Sequence, residues 1–283
     1  MKTVLTTRAY VFAVILSVIM DLTCFQVSPC SKTHHYDINL THGSFGFLFV
    51  RGDTITVGTD SRVTYDTTYG GITKDLWQAD SACKVNETNG VIIAIVGLPT
   101  IADSFNILDK ASETMRSGIP FTNRIQSFDS VVTSRMSLWL NNSDWRRRLR
   151  DDEKLCNLCS IEIVFCTFID GIPRIFDQRF HPHCPSYNVE IDTSSYQYTP
   201  NHDSKHCFVL PFGEGADSLH GAIANSPTAK AILQLATPDI VVTYFVMRQA
   251  QLYHTVGGDV DIVQLTSDMK ARWIHRKKCC GKY

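Results

Sequence analysis

Apolar residues recur at every second position in two runs, residues 45–49 and residues 55–57. Five residues follow this spacing: Phe45, Phe47, Phe49, Ile55 and Val57. Because successive side chains of a β-strand point to opposite faces, the pattern predicts two strands. The intervening Arg51-Gly52-Asp53 has the residue types of a tight turn. The sequence therefore predicts a β-hairpin in this region.

Strand and helix patterns alternate after the hairpin. Residues 63–82 have few periodic apolar positions and predict an inserted loop. A continuous apolar run predicts a buried strand over residues 91–97. Apolar residues at helical spacing then predict two helices, one between residues 100 and 118 and one between residues 122 and 141.

Strands return in the second half of the chain. Residues 159–176 predict a second hairpin, with its turn at Asp170-Gly171. Residues 207–210 and 260–265 predict two further strands, and a helix over residues 239–253 lies between them. This order fits an α/β fold in which helix layers enclose two antiparallel β-sheets, a four-layer αββα sandwich.

Three charged residues lie close to the predicted strands. Asp60-Ser61-Arg62 ends the second strand of the first hairpin, and Lys84 precedes the strand at residues 91–97. Asp60 and Arg62 are two residues apart, so they share one face of an extended chain. A surface acid–base pair on an ordinary hairpin is the alternative interpretation.

Three sequence features follow one another in this region. They are Phe-x-Phe-x-x-Gly from Phe47 to Gly52, Gly-x-Asp-Ser-Arg-x-Thr from Gly58 to Thr64, and a strand led by Lys84 that ends at Gly97, with Asp103 beyond it. Together they resemble the proteasome beta-type family, which belongs to the N-terminal nucleophile hydrolases. The resemblance extends from about Thr41 to Leu265. It is strong over Phe45 to Asp103, and after that only the order of the elements agrees.

The resemblance implies the same αββα fold and a threonine-type peptidase that acts in protein degradation. In the family, autocleavage frees an N-terminal threonine, whose hydroxyl attacks a peptide carbonyl and whose amino group serves as the base. An Asp, an Arg and a Lys balance the charge of the site, and Asp60, Arg62 and Lys84 match them here. A buried lysine lowers the pKa of the hydroxyl, and a nearby aspartate keeps that lysine charged.

The position of the nucleophile leaves alternatives open. The usual register of the family, counted from the strand at residues 47–49, places His42 at the catalytic position. Thr41 lies one residue before it and Ser44 two residues after it. We predict Thr41 as the nucleophile, and an inactive site is the alternative hypothesis.

Two supporting positions differ from the family pattern. Glu214 lies between Gly213 and Gly215, where the family usually holds a serine. Residues 253–258 lack the Asp and Ser that the family places before its Gly-Gly pair. A catalytically inactive structural or assembly subunit of a proteasome-like particle, or a secreted amidohydrolase outside it, is therefore the alternative function.

Composition and charge narrow the range of partners. Apolar residues make up 44% of the 283 residues, and the net charge of −1 gives no indication of nucleic acid or an anionic membrane. The arginine-rich run at residues 146–150 is neutralised by the acidic residues that follow it. We expect polypeptide substrates and homologous subunits in a ring assembly as partners, and neither a cofactor nor a metal ion.

The N-terminal segment has a composition of its own. A basic start and a twelve-residue apolar run predict a signal peptide at residues 1–24, with an uncleaved anchor or a buried propeptide helix as the alternative. A pro-segment at residues 25–40 then leads into the domain at residues 41–268. A basic, cysteine-containing tail at residues 269–283 follows.

Two further features agree with a secretory route. The chain has ten cysteines, which is typical of proteins from oxidising compartments, and three glycosylation sequons that begin at Asn39, Asn86 and Asn141. We therefore expect a secreted or extracellular protein. An ordinary proteasome subunit would instead be found in the cytoplasm and nucleus, and this alternative remains open.

Overall fold

The computed structural model describes residues 41–42, 44–69, 72–80, 82–97, 100–101, 105–142, 159–183, 186, 188–198 and 206–277. The predicted signal peptide and pro-segment at residues 1–40 lie outside these residues, as do the arginine-rich run at 146–150 and tail residues 278–283. None of the helices in the described part of the chain is both long enough and apolar enough to cross a membrane.

Two antiparallel sheets of five strands each form the centre of the protein. The first sheet contains, in spatial order, β13 (Phe208–Gly213), β2 (Phe45–Arg51), β3 (Thr54–Thr59), β14 (Asp261–Thr266) and β15 (Ala271–His275). The second sheet contains β12 (Asn188–Gln197), β11 (Ile172–His183), β10 (Ile161–Ile169), β7 (Val91–Gly97) and β6 (Val85–Thr88).

Five helices in the described residues cover the outer faces of these sheets. α1 (Ile107–Met115) and α2 (Phe121–Leu140) pack on the second sheet. α3 (Ala216–Asn225), α4 (Pro227–Leu235) and α5 (Pro238–Leu252) pack on the first sheet. A third apolar core fills the space between the two sheets. The predicted four-layer αββα sandwich is therefore confirmed.

Strand β2 is an interior strand of the first sheet, between β13 and β3, and is buried on both faces. Its phenylalanines contact the helix layer, where Phe47 stacks on Phe245 with 4.6 Å between ring centroids. Leu48 and Val50 point instead into the core between the sheets. At Gly46 a Cβ atom would lie 2.0 Å from the ring of Phe212, so only glycine allows this aromatic ring to cover the strand.

The predicted loop at residues 63–82 is wrong. The structure has two strands there, β4 (Val63–Tyr69) and β5 (Ile72–Ala79), which form a small sheet together with β1 (Thr41–His42). Four of the seven residues of β4 are valine or threonine and two are tyrosine. Such residues favour extended backbone even where no apolar alternation marks a buried face.

The start of the first predicted helix also differs from the prediction. The helix expected from residue 100 begins only at Ile107, because the side chain of Asn106 accepts a hydrogen bond from Asp109 N and caps the helix there. Thr100 belongs instead to the short strand β8 (Thr100–Ile101), which pairs with β9 (Phe105–Asn106). At the other end of the chain, β15 pairs with β14, so residues 271–275 of the predicted tail lie in the first sheet.

Candidate active site

Asp60 lies directly after β3 and is completely buried. Its Oδ1 atom accepts hydrogen bonds from Phe45 N at 2.9 Å and Lys84 Nζ at 2.9 Å. Its Oδ2 atom accepts from Arg62 N at 3.1 Å and Gly257 N at 3.1 Å. The carboxylate is thus held by hydrogen bonds from three backbone N–H groups and one ammonium.

Lys84 lies directly before β6 and is 2% exposed. Its ammonium contacts Asp60 Oδ1 and also donates a hydrogen bond to Arg62 O. Burial lowers the pKa of Lys84, and the Asp60 carboxylate opposes this effect. The Lys84 carbonyl accepts from Ile95 N at 2.8 Å, so the lysine is fixed to the neighbouring strand β7.

The guanidinium of Arg62 has a carboxylate partner of its own, Asp80. It forms two hydrogen bonds with Asp80, from Nε at 2.7 Å and Nη2 at 3.0 Å. It also donates to His254 O at 2.9 Å. The hydrogen bond with Asp80 is the largest cause that raises the pKa of Arg62. Of the predicted trio, the side chains of Asp60 and Lys84 therefore contact each other. Arg62 contacts the Asp60 carboxylate only through its backbone N–H group.

Gly257 and Gly258 allow the chain to approach this region closely. A Cβ atom at Gly257 would lie 2.7 Å from Arg62 Cζ, and one at Gly258 would lie 2.3 Å from Ser61 Oγ. Gly257 O in turn accepts hydrogen bonds from Ser61 N and Arg62 N. Gly257 therefore contributes both a hydrogen-bond donor and an acceptor to the site. Sequence analysis missed this role. The Gly-Gly dipeptide was the available indication.

The described residues before β2 contact Glu214 and β4. Ser44 is buried, and its carbonyl accepts a hydrogen bond from Glu214 N at 2.8 Å. Thr41 pairs through its backbone with Tyr65 in β4, and His42 pairs with Thr64. Their side chains are not among the described parts of the chain, so the role of Thr41 as nucleophile stays a prediction.

Glu214 and Thr255 occupy the region where the supporting residues of the site were expected. Thr255 is buried, and its hydroxyl donates a hydrogen bond to Glu214 Oε2. Gln249 Nε2 donates to Gly215 O at 3.0 Å and fixes the adjacent turn to α5. The two sequence positions that differ from the family pattern are therefore joined to each other.

A second charged cluster, formed by Glu162, Asp177 and Arg179, lies on the second sheet. Arg179 Nη2 is 2.9 Å from Glu162 Oε1 and 3.1 Å from Asp177 Oδ2. Gly213 N donates to Glu162 Oε2 at 2.8 Å, which links the cluster to the first sheet. Burial, assisted by the charge of Asp177, raises the pKa of Glu162 to about 7. Burial raises the pKa of Asp177 as well.

The described residues contain no group of three or more His, Cys, Asp or Glu side chains that is arranged to hold a metal ion. Cys83, next to Lys84, is disulfide-bonded. Cys166 and Cys207 are free thiols. Burial raises the pKa of these two thiols and of the Cys159 thiol, so all three lack the thiolate character of a reactive cysteine.

Comparisons with known proteins gave only weak similarities. No protein family profile and no curated protein match the sequence. A solved structure of Thiobacillus denitrificans BPH has a TM-score of 0.37 and 14% identity, over 78% of this chain and 97% of that one. The same protein in complex with epoxomicin has a TM-score of 0.34 and 13% identity, over 78% and 98%.

Proposed function

We propose that this protein is an N-terminal nucleophile hydrolase of the proteasome beta type, a threonine-type peptidase activated by cleavage before Thr41. The buried ion pair of Asp60 and Lys84 is the observation that carries this proposal. Its Nζ–Oδ1 distance is 2.9 Å, and the side chains are 3% and 0% exposed.

A buried ion pair is an expensive way to stabilise a fold. Removing two charges from water costs several kcal/mol per ion, and well-packed apolar residues often perform the same structural role equally well. A buried lysine with a shifted pKa is therefore a candidate for a functional group. Asp60 also accepts from Phe45 N, the first residue of β2, so the ion pair lies at the N-terminal end of this strand.

The chemistry follows from this placement. After cleavage, the α-amino group of Thr41 takes the proton of its own hydroxyl, and the oxygen attacks a peptide carbonyl. The positive charge of Lys84 stabilises the alkoxide that forms. The peptide C–N bond then breaks, the amine leaves with the proton, and water hydrolyses the remaining ester. Arg62 O accepts a hydrogen bond from Lys84 Nζ, and the Arg62 guanidinium is paired with Asp80, so neither Arg62 nor Asp80 needs to contact the substrate.

The wider setting forms part of the same proposal. Polypeptide substrates match the acyl-transfer chemistry. Assembly with homologous subunits and a secretory location follow from the resemblance and from the N-terminal segment, respectively.

Cleavage of fluorogenic peptide amides tests the proposed activity. We expect the wild-type protein to cleave at least some of them, and Lys84→Met to lose roughly 100-fold or more in rate. Lys110→Met is the matched control, because Lys110 lies in an exposed ion pair with Glu113 on α1. Equal rates for wild type and Lys84→Met would exclude a catalytic role for Lys84.

An inactive structural subunit is the second candidate function. The hydrogen bond between Thr255 and Glu214 favours it, because it occupies a position where the family usually holds a serine that supports the catalytic amine. If the wild-type protein cleaves no peptide amide while Lys84→Met fails to fold, this second function is the better account. The ion pair would then hold the sandwich together without performing chemistry.

A further inference from the structure

The C-terminal end of the described chain contains a second buried lysine–aspartate pair. Lys277 Nζ lies 3.1 Å from Asp261 Oδ2, and both side chains are 3% exposed or less. Lys277 N also donates to Asp261 Oδ1 at 2.9 Å, so the aspartate holds both the backbone and the side chain of this residue.

This second pair lies beside the candidate active site. Asp261 begins β14 and pairs with Thr59 of β3, the residue that directly precedes Asp60. The two buried carboxylates therefore come from neighbouring strands at the same end of the first sheet.

Lys277 also contacts the segment that carries Lys84. Its ammonium donates to Ala82 O at 3.0 Å. On the other side, Ala82 N donates to Ser61 O at 3.0 Å. The intervening Cys83 is disulfide-bonded. Residues 82–84 are thus held between the end of β3 and the residues that follow β15.

The charges around Lys84 give this contact an electrostatic consequence. Burial is the largest cause that lowers the pKa of Lys84, and the positive charge of Lys277 lowers it further. The Asp60 carboxylate and, more weakly, that of Asp80 favour the ammonium form. Asp261 lies against Lys277 and neutralises part of that charge. The residues after β15 therefore influence both the position and the protonation of the candidate catalytic lysine.

We propose that Lys277 is a positioning residue of the active site, which holds residues 82–84 in place and places a second ammonium beside Lys84. This inference rests on the proposed function only in its description of Lys84 as catalytic. Lys277 belongs to the predicted tail and lies 193 residues after Lys84 in sequence (277 − 84). Its hydrogen bond to Ala82 O nevertheless holds the segment that contains Lys84, so the inference makes this part of the tail a part of the site.

Two substrate-free measurements on the full-length protein test the proposal. Hydrogen–deuterium exchange reports the protection of amides in residues 82–86. Carbon-13 NMR of lysine labelled at Cε gives the titration of Lys84, whose signal is assigned by its absence in Lys84→Met. The variants are Lys277→Met and the double variant Asp261→Asn/Lys277→Met, which avoids an unpaired buried carboxylate. The matched control is Asp268→Asn/Lys270→Met, which removes an exposed ion pair from the same end of the chain.

We expect exchange in residues 82–86 to become about tenfold faster or more when Lys277 is replaced, because Ala82 O loses a charged donor. We also expect the pKa of Lys84 to rise, while the control changes neither quantity. Unchanged exchange and an unchanged pKa in the double variant would overturn the proposal. Unfolding of the double variant would also overturn it, since the pair would then hold the whole sandwich. Peptide cleavage plays no part in these readouts, so failure of the proposed hydrolase activity is detected separately.

Discussion

The buried cluster of Asp60 and Lys84 and the partly exposed cluster of Glu162, Asp177 and Arg179 differ in their balance of charge. In the first, one carboxylate, Asp60, faces one ammonium, Lys84, and each carboxylate oxygen accepts two hydrogen bonds. In the second, two carboxyl groups, those of Glu162 and Asp177, share the single guanidinium of Arg179. The first cluster is neutral as a pair, whereas the second carries excess negative charge.

This difference determines how each cluster responds to protons. The excess carboxyl of the second cluster cannot be stabilised by Arg179 alone, so burial raises the pKa of Glu162 to about 7. The first cluster has no such excess, and a fixed positive charge beside β2 is what activation of a hydroxyl requires. We therefore assign the candidate chemistry to Asp60 and Lys84, and expect the Glu162 cluster to make stability depend on pH.

The largest expected effect comes from deleting one charge of the pair formed by Asp60 and Lys84. Lys84→Met keeps the aliphatic bulk but leaves the Asp60 carboxylate buried without its ammonium. We expect the free energy of unfolding to fall by about 3–5 kcal/mol, measured by urea denaturation at neutral pH. The double variant Asp60→Asn/Lys84→Met should recover part of this loss, because it removes the unpaired charge. A single variant within about 0.5 kcal/mol of wild type would show that the two groups are not a buried pair.

The unbalanced cluster predicts a change of stability with pH. The folded-state pKa of Glu162 is about 7 and its ordinary value is 4.5, so between these pH values the folded protein binds more protons than the unfolded chain. The free energy of unfolding therefore falls as the pH rises through this window, by about 3 kcal/mol from this residue.

Glu162→Gln isolates that contribution, since glutamine does not titrate and its side-chain oxygen still accepts the hydrogen bond from Gly213 N. We expect the variant to lose much less stability than wild type between pH 4.5 and pH 8, as measured by urea denaturation. A variant that keeps the full wild-type loss would assign the pH dependence to other groups. Asp129 is one such group, because burial raises its pKa to about 7.

The smallest expected effect concerns the contact between Arg62 and Asp80, next to the pair of Asp60 and Lys84. Arg62→Lys keeps the charge but cannot form the two parallel hydrogen bonds to Asp80. Because both side chains are partly exposed, we expect a loss of only about 1 kcal/mol. Arg248→Lys is the control, since Arg248 makes one exposed hydrogen bond to Gln251. Equal stability changes in the two variants would remove any special role of the Arg62–Asp80 contact.

Sequence analysis predicted the regions in which local pattern and tertiary packing agree. The hairpin of β2 and β3 and the helix at Pro238–Leu252 follow directly from apolar spacing and turn residues. The strand pair β4 and β5 was missed because Thr and Tyr there form no apolar alternation. No prediction covered α3 and α4, although Ser226 caps α4 and Pro227 begins it, a recognisable start pattern.

The candidate site was predictable only in part, for a physical reason. The resemblance suggested Asp60 and Lys84, and the structure brings them together. Asp80 and Lys277 were missed because their partners, Arg62 and Asp261, are fixed by the fold rather than by any local spacing. Lys277 belongs to no periodic apolar pattern. Its burial therefore becomes apparent only in the folded structure, where it pairs with Asp261.

The N-terminal sequence of the mature protein tests the central claim most directly. The full-length wild type and Thr41→Ala are expressed in a secretory host, purified, and analysed by N-terminal sequencing and intact mass. The proposed function predicts a wild-type chain that begins at Thr41, and a Thr41→Ala chain that is not cleaved at that bond because it lacks the hydroxyl. A wild-type chain that begins near Phe25 with no shorter species would contradict the account, as would identical cleavage before residue 41 in both proteins.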